Sequence, residues 1–337
     1  MATITGITDF LNQAGTQFKV FDMGRRIQPL DPDVFLAFEQ GEQPYPYPLQ
    51  QQAWLGIMVS GNKTDDLVIW FLRFPLDATG KLTAGVRDDF VARLISKDDK
   101  KSDDDTPYGF KPKQEHMASF HAKAAKLLAQ PGSRFYTHAQ NYFSGKTGFD
   151  QWAFVGFQGI ADMACRLDED KNIIDLIQAL PQIPPQPFEA LCQCLEHEII
   201  SDELAQVLGQ CLDTELSYDE PNPNFISLLL RAVSGAATPP LCEQQILKVL
   251  QSPQGSHPEV LASISGRCWL SLKQTNIIQA FLENLAQCPE GQAFFNLVIV
   301  DLINIPGMQD SIHQAIRNEN RSDTLSKAIG ELFKQFS

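Results

Sequence analysis

The residues of this sequence best suited to acid–base or metal chemistry are three histidines and one Glu-His-Glu segment. His116 and His121 are five positions apart, about 140° round a helix, so they do not share one face as an i, i+4 pair does. His138 approaches them only if tertiary packing brings it there. We interpret these histidines as surface residues or satisfied core residues. Residues 196–198 are interpreted as the exposed end of a helix rather than a general acid–base site.

The cysteine positions argue against a metal site. Cys192 and Cys194 are two residues apart, and on a helix their side chains point about 200° apart, so they cannot hold one ion. Adding Cys211 or His197 does not produce the spacing of zinc sites. The chain has seven cysteines, and six of them fall on apolar helical faces in its second half. We therefore expect reduced, buried thiols, no metal and no cofactor.

Residues 144–148, Ser-Gly-Lys-Thr-Gly, resemble the end of a phosphate-binding loop. Gln140 stands where that loop requires its first glycine, and a predicted helix precedes the segment instead of a strand. We interpret it as a turn between helices. The sequence also lacks a Gly-x-Ser-x-Gly elbow and a glycine-rich dinucleotide turn. A nucleophile assembled from distant residues has no such motif, so an enzyme stays an open alternative.

Aromatic and arginine side chains in predicted loops are the candidates for a binding surface, because these residue types dominate binding hot spots. Two tyrosines project from a proline-stiffened segment at 44–48, two aromatic residues end a charged loop, and two arginines follow the first predicted strand. The candidates are Arg25, Arg26, Tyr45, Tyr47, Tyr108 and Phe110. In the alternative interpretation, Tyr45, Tyr47 and Phe110 pin loops onto the core.

The first 110 residues predict an α+β domain with a small antiparallel sheet of three or more strands. Alternation of apolar and polar residues indicates strands, Asp31-Pro32 is a helix start, and the prolines at 44–48 forbid both helix interior and central strand. Residues 61–66 are expected to join a β-hairpin, and 97–105, which have no apolar residue, to form a mobile loop. The predicted elements are helix 3–14, strand 17–23, a helix from 32 to 41, strands 54–60 and 67–74, and helix 84–95.

From residue 112 onward every signal indicates helix. Helices are predicted at 112–130, 133–143 and 148–167, with Gly156 and Gly159 allowing a close helix approach. About ten short helices follow. The breaks between them are predicted near Pro184-Pro185, Ser201, Pro221-Asn-Pro223, Pro239-Pro240, Pro258, Thr275, Pro289, Pro306 and Arg321. Pairing alternate helices makes four residues equivalent, spaced 37, 35 and 35 positions apart, and this period predicts a HEAT-like α-solenoid. The four are Phe188, Phe225, Val260 and Phe295. An irregular helical domain is the alternative. The predicted organisation is an α+β domain at 1–110, a helical connector packed on both halves at 111–170, and an all-α helical-repeat domain at 171–337.

The charge of the chain is uneven. Its formal net charge is −14, and residues 171–337 carry 9 Lys and Arg against 19 Asp and Glu. Binding to nucleic acid or to an anionic membrane surface requires the opposite sign, so neither is an expected partner. Residues 1–9 lack the basic and apolar parts of a secretory signal, and no apolar run reaches the length of a spanning helix, so we expect neither feature. We expect a cytoplasmic protein.

Several strings of the first 120 residues resemble an uncharacterised bacterial family of similar length, described only as a domain of unknown function. They are residues 21–27 (Phe-Asp-Met-Gly-Arg-Arg-Ile), 44–50 (Pro-Tyr-Pro-Tyr-Pro-Leu-Gln), 53–56 (Ala-Trp-Leu-Gly), 70–77 (Trp-Phe-Leu-Arg-Phe-Pro-Leu-Asp) and 107–112 (Pro-Tyr-Gly-Phe-Lys-Pro). The resemblance brings no activity, cofactor or catalytic residue. It implies a bacterial cytosolic protein of unassigned role.

Two functions follow from these patterns as hypotheses. The first is a non-enzymatic protein-binding, scaffold or adaptor protein that presents an acidic helical-repeat surface to a protein partner of basic character. The second is an enzyme or small-ligand-binding protein with a site in the cleft between the two halves and histidines as its titratable groups. The sequence does not determine the oligomeric state.

Overall fold

The computed structural model describes residues 4, 6–60, 67–96 and 106–335. The predicted hairpin loop at 61–66 and the predicted mobile loop at 97–105 lie outside the described residues. Internal contacts divide the chain into two compact units, one of residues 1–113 with 303–309 and one of residues 114–302 with 310–337. Most of the segment predicted as a connector thus belongs to the second unit.

The first unit contains a small antiparallel sheet, as the sequence predicted, and its four strands include one at residues 28–29 that was not predicted. The strand order is β2-β1-β3-β4. The strands are β1 (Gln17–Asp22), β2 (Gln28–Pro29), β3 (Gln52–Ser60) and β4 (Leu67–Pro75). Val20 of β1 lies opposite Ile57 of β3, and Leu55 of β3 lies opposite Leu72 of β4. These four side chains are buried in one apolar core, which fixes the register because a slip by one residue would turn them to the other face.

Three helices accompany the sheet: α1 (Ile7–Gln13), α2 (Pro32–Glu39) and α3 (Ala84–Ile95). Asp31 caps α2 by accepting a hydrogen bond from the backbone N–H of Asp33 at 2.9 Å, as its position before Pro32 predicted. Glu39, which is buried, accepts hydrogen bonds from the first backbone N–H groups of α1. The carboxylate therefore satisfies the free end of α1 and ties it to α2.

The rest of the described chain is helical. A single helix predicted at 148–167 is wrong: a 3-10 helix (Phe149–Phe154) precedes α6, and Gly156 between them has an extended backbone. Gly159 does allow the expected close approach, since an added Cβ would lie 2.6 Å from the carbonyl oxygen of Phe135. The α-helices are α4 (Gln114–Leu127), α5 (Tyr136–Phe143), α6 (Phe157–Cys165), α7 (Asn172–Ala179), α8 (Pro185–Leu195), α9 (Asp202–Leu216), α10 (Pro223–Val233), α11 (Pro239–Leu250), α12 (Pro258–Arg267), α13 (Thr275–Ala286), α14 (Gly291–Ile303), α15 (Gln309–Ile316) and α16 (Asp323–Gln335), with a second 3-10 helix at Trp269–Lys273.

The helices of the second unit pack in two successions. Helices α4, α6, α8, α10 and α12 contact one another in that order, and α5, α7, α9, α11 and α13 do the same. Contacts between α5 and α6, α9 and α10, and α12 and α13 join the two successions. Within the described residues, no helix combines the length and apolar character needed to cross a bilayer.

Candidate functional site

Five side chains of the second unit converge, and we call them the Glu196 cluster. Glu196 and His197 directly follow α8, so the end of one helix supplies the centre of the group. The other three side chains come from helices of the same succession. The members are His116 of α4, Glu196, His197, Arg231 of α10 and Arg267 of α12.

Both carboxylate oxygens of Glu196 are held by guanidinium groups. Nε of Arg231 donates a hydrogen bond to Oε2. Nε of Arg267 donates to Oε1 at 3.1 Å, and Nη2 of the same guanidinium lies 3.1 Å from that oxygen. The Glu196 side chain is 1% exposed, against 12% for Arg267 and 29% for Arg231. A single buried carboxylate therefore joins α8, α10 and α12.

The charges of the cluster fix its protonation states. Burial by itself raises the pKa of Glu196, but the charges of Arg267 and Arg231 outweigh burial and hold that pKa below its usual value. Burial lowers the pKa of Arg231, and the Glu196 carboxylate outweighs this and raises it. Glu196 is consequently ionised at neutral pH and a weak proton acceptor.

His197 is neutral beside this ion pair. Its Nε2 lies 3.5 Å from Oε1 of Glu196, and its ring meets the ring of His116 edge-on with centroids 5.5 Å apart. Burial lowers the pKa of His197 well below its ordinary value; Glu196 opposes this, whereas the charge of Arg267 acts in the same direction as burial. The imidazole therefore does not add a third positive charge to those of Arg231 and Arg267.

Three members of the cluster have the chemical types of metal ligands. His116, Glu196 and His197 each offer one ligand atom, and these atoms lie within 4.8 Å of one another. A divalent cation at this place would face the guanidinium groups of Arg231 and Arg267, which already neutralise Glu196. Its charge would add to theirs. The donor set therefore fits an ion-pair junction better than a metal centre.

The prediction of an exposed helix end at 196–198 is wrong for Glu196 and His197, which are 1% and 3% exposed. The sequence did contain a signal for the cluster. Glu196 precedes Arg231 by 35 residues and Arg267 by 71, which are one and two lengths of the predicted repeat. When the sequence is aligned with itself at that period, Glu196, Arg231 and Arg267 occupy equivalent positions. His121 and His138 are exposed and are not members of the cluster.

Two backbone hydrogen bonds join the turn after α8 to the turn after α10. The N–H of Ile200 donates to the carbonyl oxygen of Gly235 at 2.9 Å, and the N–H of Ala237 donates to the carbonyl of Ile200 at 3.0 Å. A Cβ added at Gly235 would lie 1.9 Å from the carbonyl oxygen of Glu198. Only glycine fits this approach. The Glu198 side chain in turn binds Nζ of Lys123 in α4 at 2.7 Å.

A cleft with a volume of about 660 Å³ opens in the same unit, and we call it the α7–α10 cleft. It is lined by the turn after α7, the start of α8, the second half of α9 and the start of α10. Rings of Phe188 and Phe225, with centroids 5.1 Å apart, contribute to its wall. Two of its lining residues are acidic, Glu189 and Glu215, and among the described residues no Lys or Arg lines it. Cys211 lines it as well, and burial raises the pKa of that thiol.

The segment that forms this cleft contains acidic residues and no Lys or Arg. Between Lys171 and Arg231 the sequence has ten Asp and Glu and no Lys or Arg. Near the Glu196 cluster these acids are compensated by residues from outside the segment: Arg231 and Arg267 bind Glu196, and Lys123 binds Glu198. The cleft thus lies in a segment whose own charge is entirely negative.

Two of the predicted binding residues are buried in the first unit. The hydroxyl of Tyr45 donates to Oδ1 of Asp22 at 2.9 Å, and Nε of Arg25 donates to the carbonyl oxygen of Pro48 at 2.7 Å. Asp22 also accepts a hydrogen bond from the N–H of Arg26, and burial raises the pKa of Asp22 to about 6. Arg25 and Tyr45 are 0% exposed, so a partner cannot contact them in this conformation.

The other predicted residues, Arg26, Tyr47, Tyr108 and Phe110, are partly exposed. Residues 106–111 run along β4, where the N–H of Phe110 donates to the carbonyl of Phe71 at 3.1 Å. The hydroxyl of Tyr108 donates to Oδ2 of Asp89 at 2.9 Å, and the Phe110 ring packs edge-on against Trp54. These contacts favour the interpretation that Phe110 pins a loop. A binding role for the partly exposed residues stays a prediction.

Comparison with known proteins adds a family but no activity. A family model described as "Protein of unknown function (DUF3549)" matches residues 2–333. No curated protein and no solved structure gives a significant match.

Proposed function

The chain belongs to the DUF3549 family, as its resemblance to an uncharacterised family predicted, and we propose from its own geometry that it is a non-enzymatic protein-binding protein, a scaffold or adaptor. Its binding element is the acidic surface of a helical-repeat domain, and its partner is a protein of basic character. The family has no assigned activity, and the helices of the second unit supply the support for this function.

The HEAT-like α-solenoid is part of this proposal. Its support is the order in which the helices pack, α8 on α10 on α12 and α9 on α11 on α13. Polar contacts also join residues that are one predicted repeat length apart in the sequence. Oγ1 of Thr238 donates to Asp202 at 2.7 Å, and Nζ of Lys248 lies 2.7 Å from Asp213. Stacked helix pairs offer extended surfaces suited to polypeptide partners.

The observation that carries the proposal is the acidic segment between Lys171 and Arg231. Ten carboxylates without one Lys or Arg oppose binding to nucleic acid and favour a cationic partner through complementary charge. Such a segment destabilises the fold by self-repulsion unless other elements compensate it. Arg231, Arg267 and Lys123 compensate Glu196 and Glu198, and Lys248 pairs with Asp213. The exposed carboxylates of Glu189, Asp219 and Glu220 remain to attract a partner.

A competing function, an enzyme or small-ligand binder, has one observation in its favour. His116, His197 and Glu196 converge, which is a combination typical of catalytic sites. The carboxylate is held by two guanidinium groups with its pKa lowered, and His197 is kept neutral by burial. Neither group is tuned to exchange protons near neutral pH, so the cluster favours a structural role.

Affinity capture of the tagged full-length chain from an extract of its own cells tests the proposal. We expect a partner with basic surface that is retained at moderate salt and released at high salt, since screening weakens exposed charge pairs. Recovery of no specific partner from repeated captures of folded protein would contradict the proposal. Stabilisation by small metabolites in a thermal-shift screen would then support the competing function.

A further inference from the structure

We propose that the α7–α10 cleft is the contact point for the partner, and that it takes a polypeptide segment carrying one bulky apolar side chain next to Lys or Arg. This inference rests on the proposed function and adds the place of binding and the chemistry of the bound segment.

The apolar part of the recognition comes from the cleft wall. Phe188 of α8 and Phe225 of α10 contribute rings, and Val207 of α9 and Ile183 of the preceding turn contribute aliphatic surface. A cleft of about 660 Å³ holds a large side chain together with adjacent backbone. Removing such a side chain from water supplies a favourable free energy that is proportional to the apolar area buried.

The charged part comes from the acidic lining. Glu189 is exposed on α8, and Glu215 accepts a hydrogen bond from the N–H of Asn222 at 2.6 Å, which fixes the loop before α10. Asp219 and Glu220 of that loop are exposed. A Lys or Arg of the bound segment, next to its bulky apolar side chain, lies beside these carboxylates. The described lining residues include no Lys or Arg that would repel it. An acidic segment is rejected by the same charges.

Tyr218 supplies a contact at the edge of the cleft. Its side chain is 58% exposed although it is large and aromatic, and it lines the cleft. A tyrosine in this position combines apolar area with a hydroxyl and stacks on an Arg side chain. It also offers a test residue whose removal does not open a core cavity.

Selection from a displayed library of short random peptides on the full-length protein tests the inference. We expect the enriched peptides to share a bulky apolar residue next to Lys or Arg. Their Kd should rise about tenfold for Glu189→Lys, because an attractive charge becomes a repulsive one, and should rise by less for Tyr218→Ala. Glu319→Lys, an equal charge change at an exposed position outside the lining, should leave the Kd within about twofold.

Cys211 gives an independent readout in the unmodified chain. Among the described residues, which include all seven cysteines, it is the one that is not fully buried. A peptide bound in the cleft should slow the alkylation of Cys211, which mass spectrometry measures. A peptide bound elsewhere should leave the alkylation rate unchanged. The thermal unfolding of each variant is recorded, and Tyr218→Ala retains the test if Glu189→Lys fails to fold.

The inference is overturned if no peptide is enriched on the wild-type protein, or if the enriched peptides have no basic residue. It is also overturned if Glu189→Lys binds them with the same Kd as the wild-type protein, or if they leave the alkylation rate of Cys211 unchanged. Specific enrichment of peptides that bind away from the cleft would overturn the cleft assignment and leave the proposed function standing. Failure of the lysate capture bears on the proposed function instead.

Discussion

Arg267 lies 71 residues after Glu196 in the sequence, yet its Nε donates a hydrogen bond to Oε1 of that glutamate at 3.1 Å. Arg231, positioned between them in the chain, binds the other carboxylate oxygen. One buried charge therefore connects three helices whose contributing residues follow one another at intervals of about 35 positions in the sequence.

Replacement of Glu196 by Gln should destabilise the second unit. Glu196→Gln leaves Arg231 and Arg267 close together without a compensating charge, and breaking a buried ion pair by removing one partner costs about 3 kcal/mol. Urea-induced unfolding at neutral pH measures the change. Because the folded-state pKa of Glu196 is lowered, its contribution is present above the unfolded-state pKa of about 4.3 and is lost as the pH falls.

Asp213→Asn is the matched control, since Asp213 pairs with Lys248 and both side chains are more than two-fifths exposed (48% and 43%). This exposed pair should contribute less than about 1 kcal/mol. Equal effects of the two substitutions would show that the Glu196 cluster does not hold the helices together.

Gly235 should tolerate no side chain. Gly235→Ala places a Cβ 1.9 Å from the carbonyl oxygen of Glu198, so backbone must move, and we expect a loss of about 1–3 kcal/mol in the free energy of unfolding. Gly330→Ala in α16 is the control, because nothing lies within 4 Å of the added atom. There the better helix propensity of alanine should add about 0.5–1 kcal/mol. A stable Gly235→Ala protein would contradict the close approach of the two turns.

Asp22 should make the first unit more stable in mild acid. Burial raises the pKa of this carboxyl to about 6, above the unfolded value of about 3.9. As the pH rises between those values the unfolded chain releases the proton before the folded protein does. The contribution of Asp22 is thus greatest below about pH 4 and is lost as the pH passes about 6.

Comparison with Asp22→Asn isolates this effect, although the variant also loses an acceptor for a backbone N–H. The stability of the wild-type protein relative to the variant should fall by on the order of 2–3 kcal/mol between about pH 4 and about pH 7. A pH-independent difference would indicate that Asp22 is ionised throughout this range.

Zinc should not stabilise the protein through the Glu196 cluster. An entering cation meets the guanidinium groups of Arg231 and Arg267, so we expect no rise in Tm when zinc is added to the wild-type chain. Differential scanning fluorimetry provides the measurement. A zinc-dependent rise that disappears in His116→Ala would identify a metal site and refute this charge argument.

The element order was largely accessible from the sequence because its signals are local. Helix α3 has the predicted bounds, Asp31 caps α2, and α9 to α13 begin at the predicted breaks at Ser201, Pro223, Pro239, Pro258 and Thr275. The mistake at 148–167 arose because an apolar run can be divided by an extended glycine whose backbone preference is weak. Periodicity indicates burial but does not locate such a break.

The candidate site was not accessible in the same way. Glu196 looked exposed because it begins the polar segment Glu-His-Glu at 196–198. Its burial depends on Arg231 and Arg267, which only tertiary packing brings near. Tyr45 looked exposed because it lies between prolines, while its hydroxyl is needed by the buried Asp22. In both places a polar side chain is buried because a distant partner satisfies it, and local sequence carries no record of that partner.

The absence of Lys and Arg between Lys171 and Arg231 also determines how the cleft behaves towards trypsin, which cleaves after those residues. Every residue that lines the α7–α10 cleft lies on the one tryptic peptide from Asn172 to Arg231. A crosslink between a bound partner and the cleft is therefore recovered on that peptide, whichever wall of the cleft it has formed with. Cleavage on the carboxyl side of Glu, which the same segment contains repeatedly, is what divides α8 from α9 and assigns the crosslink to one of them.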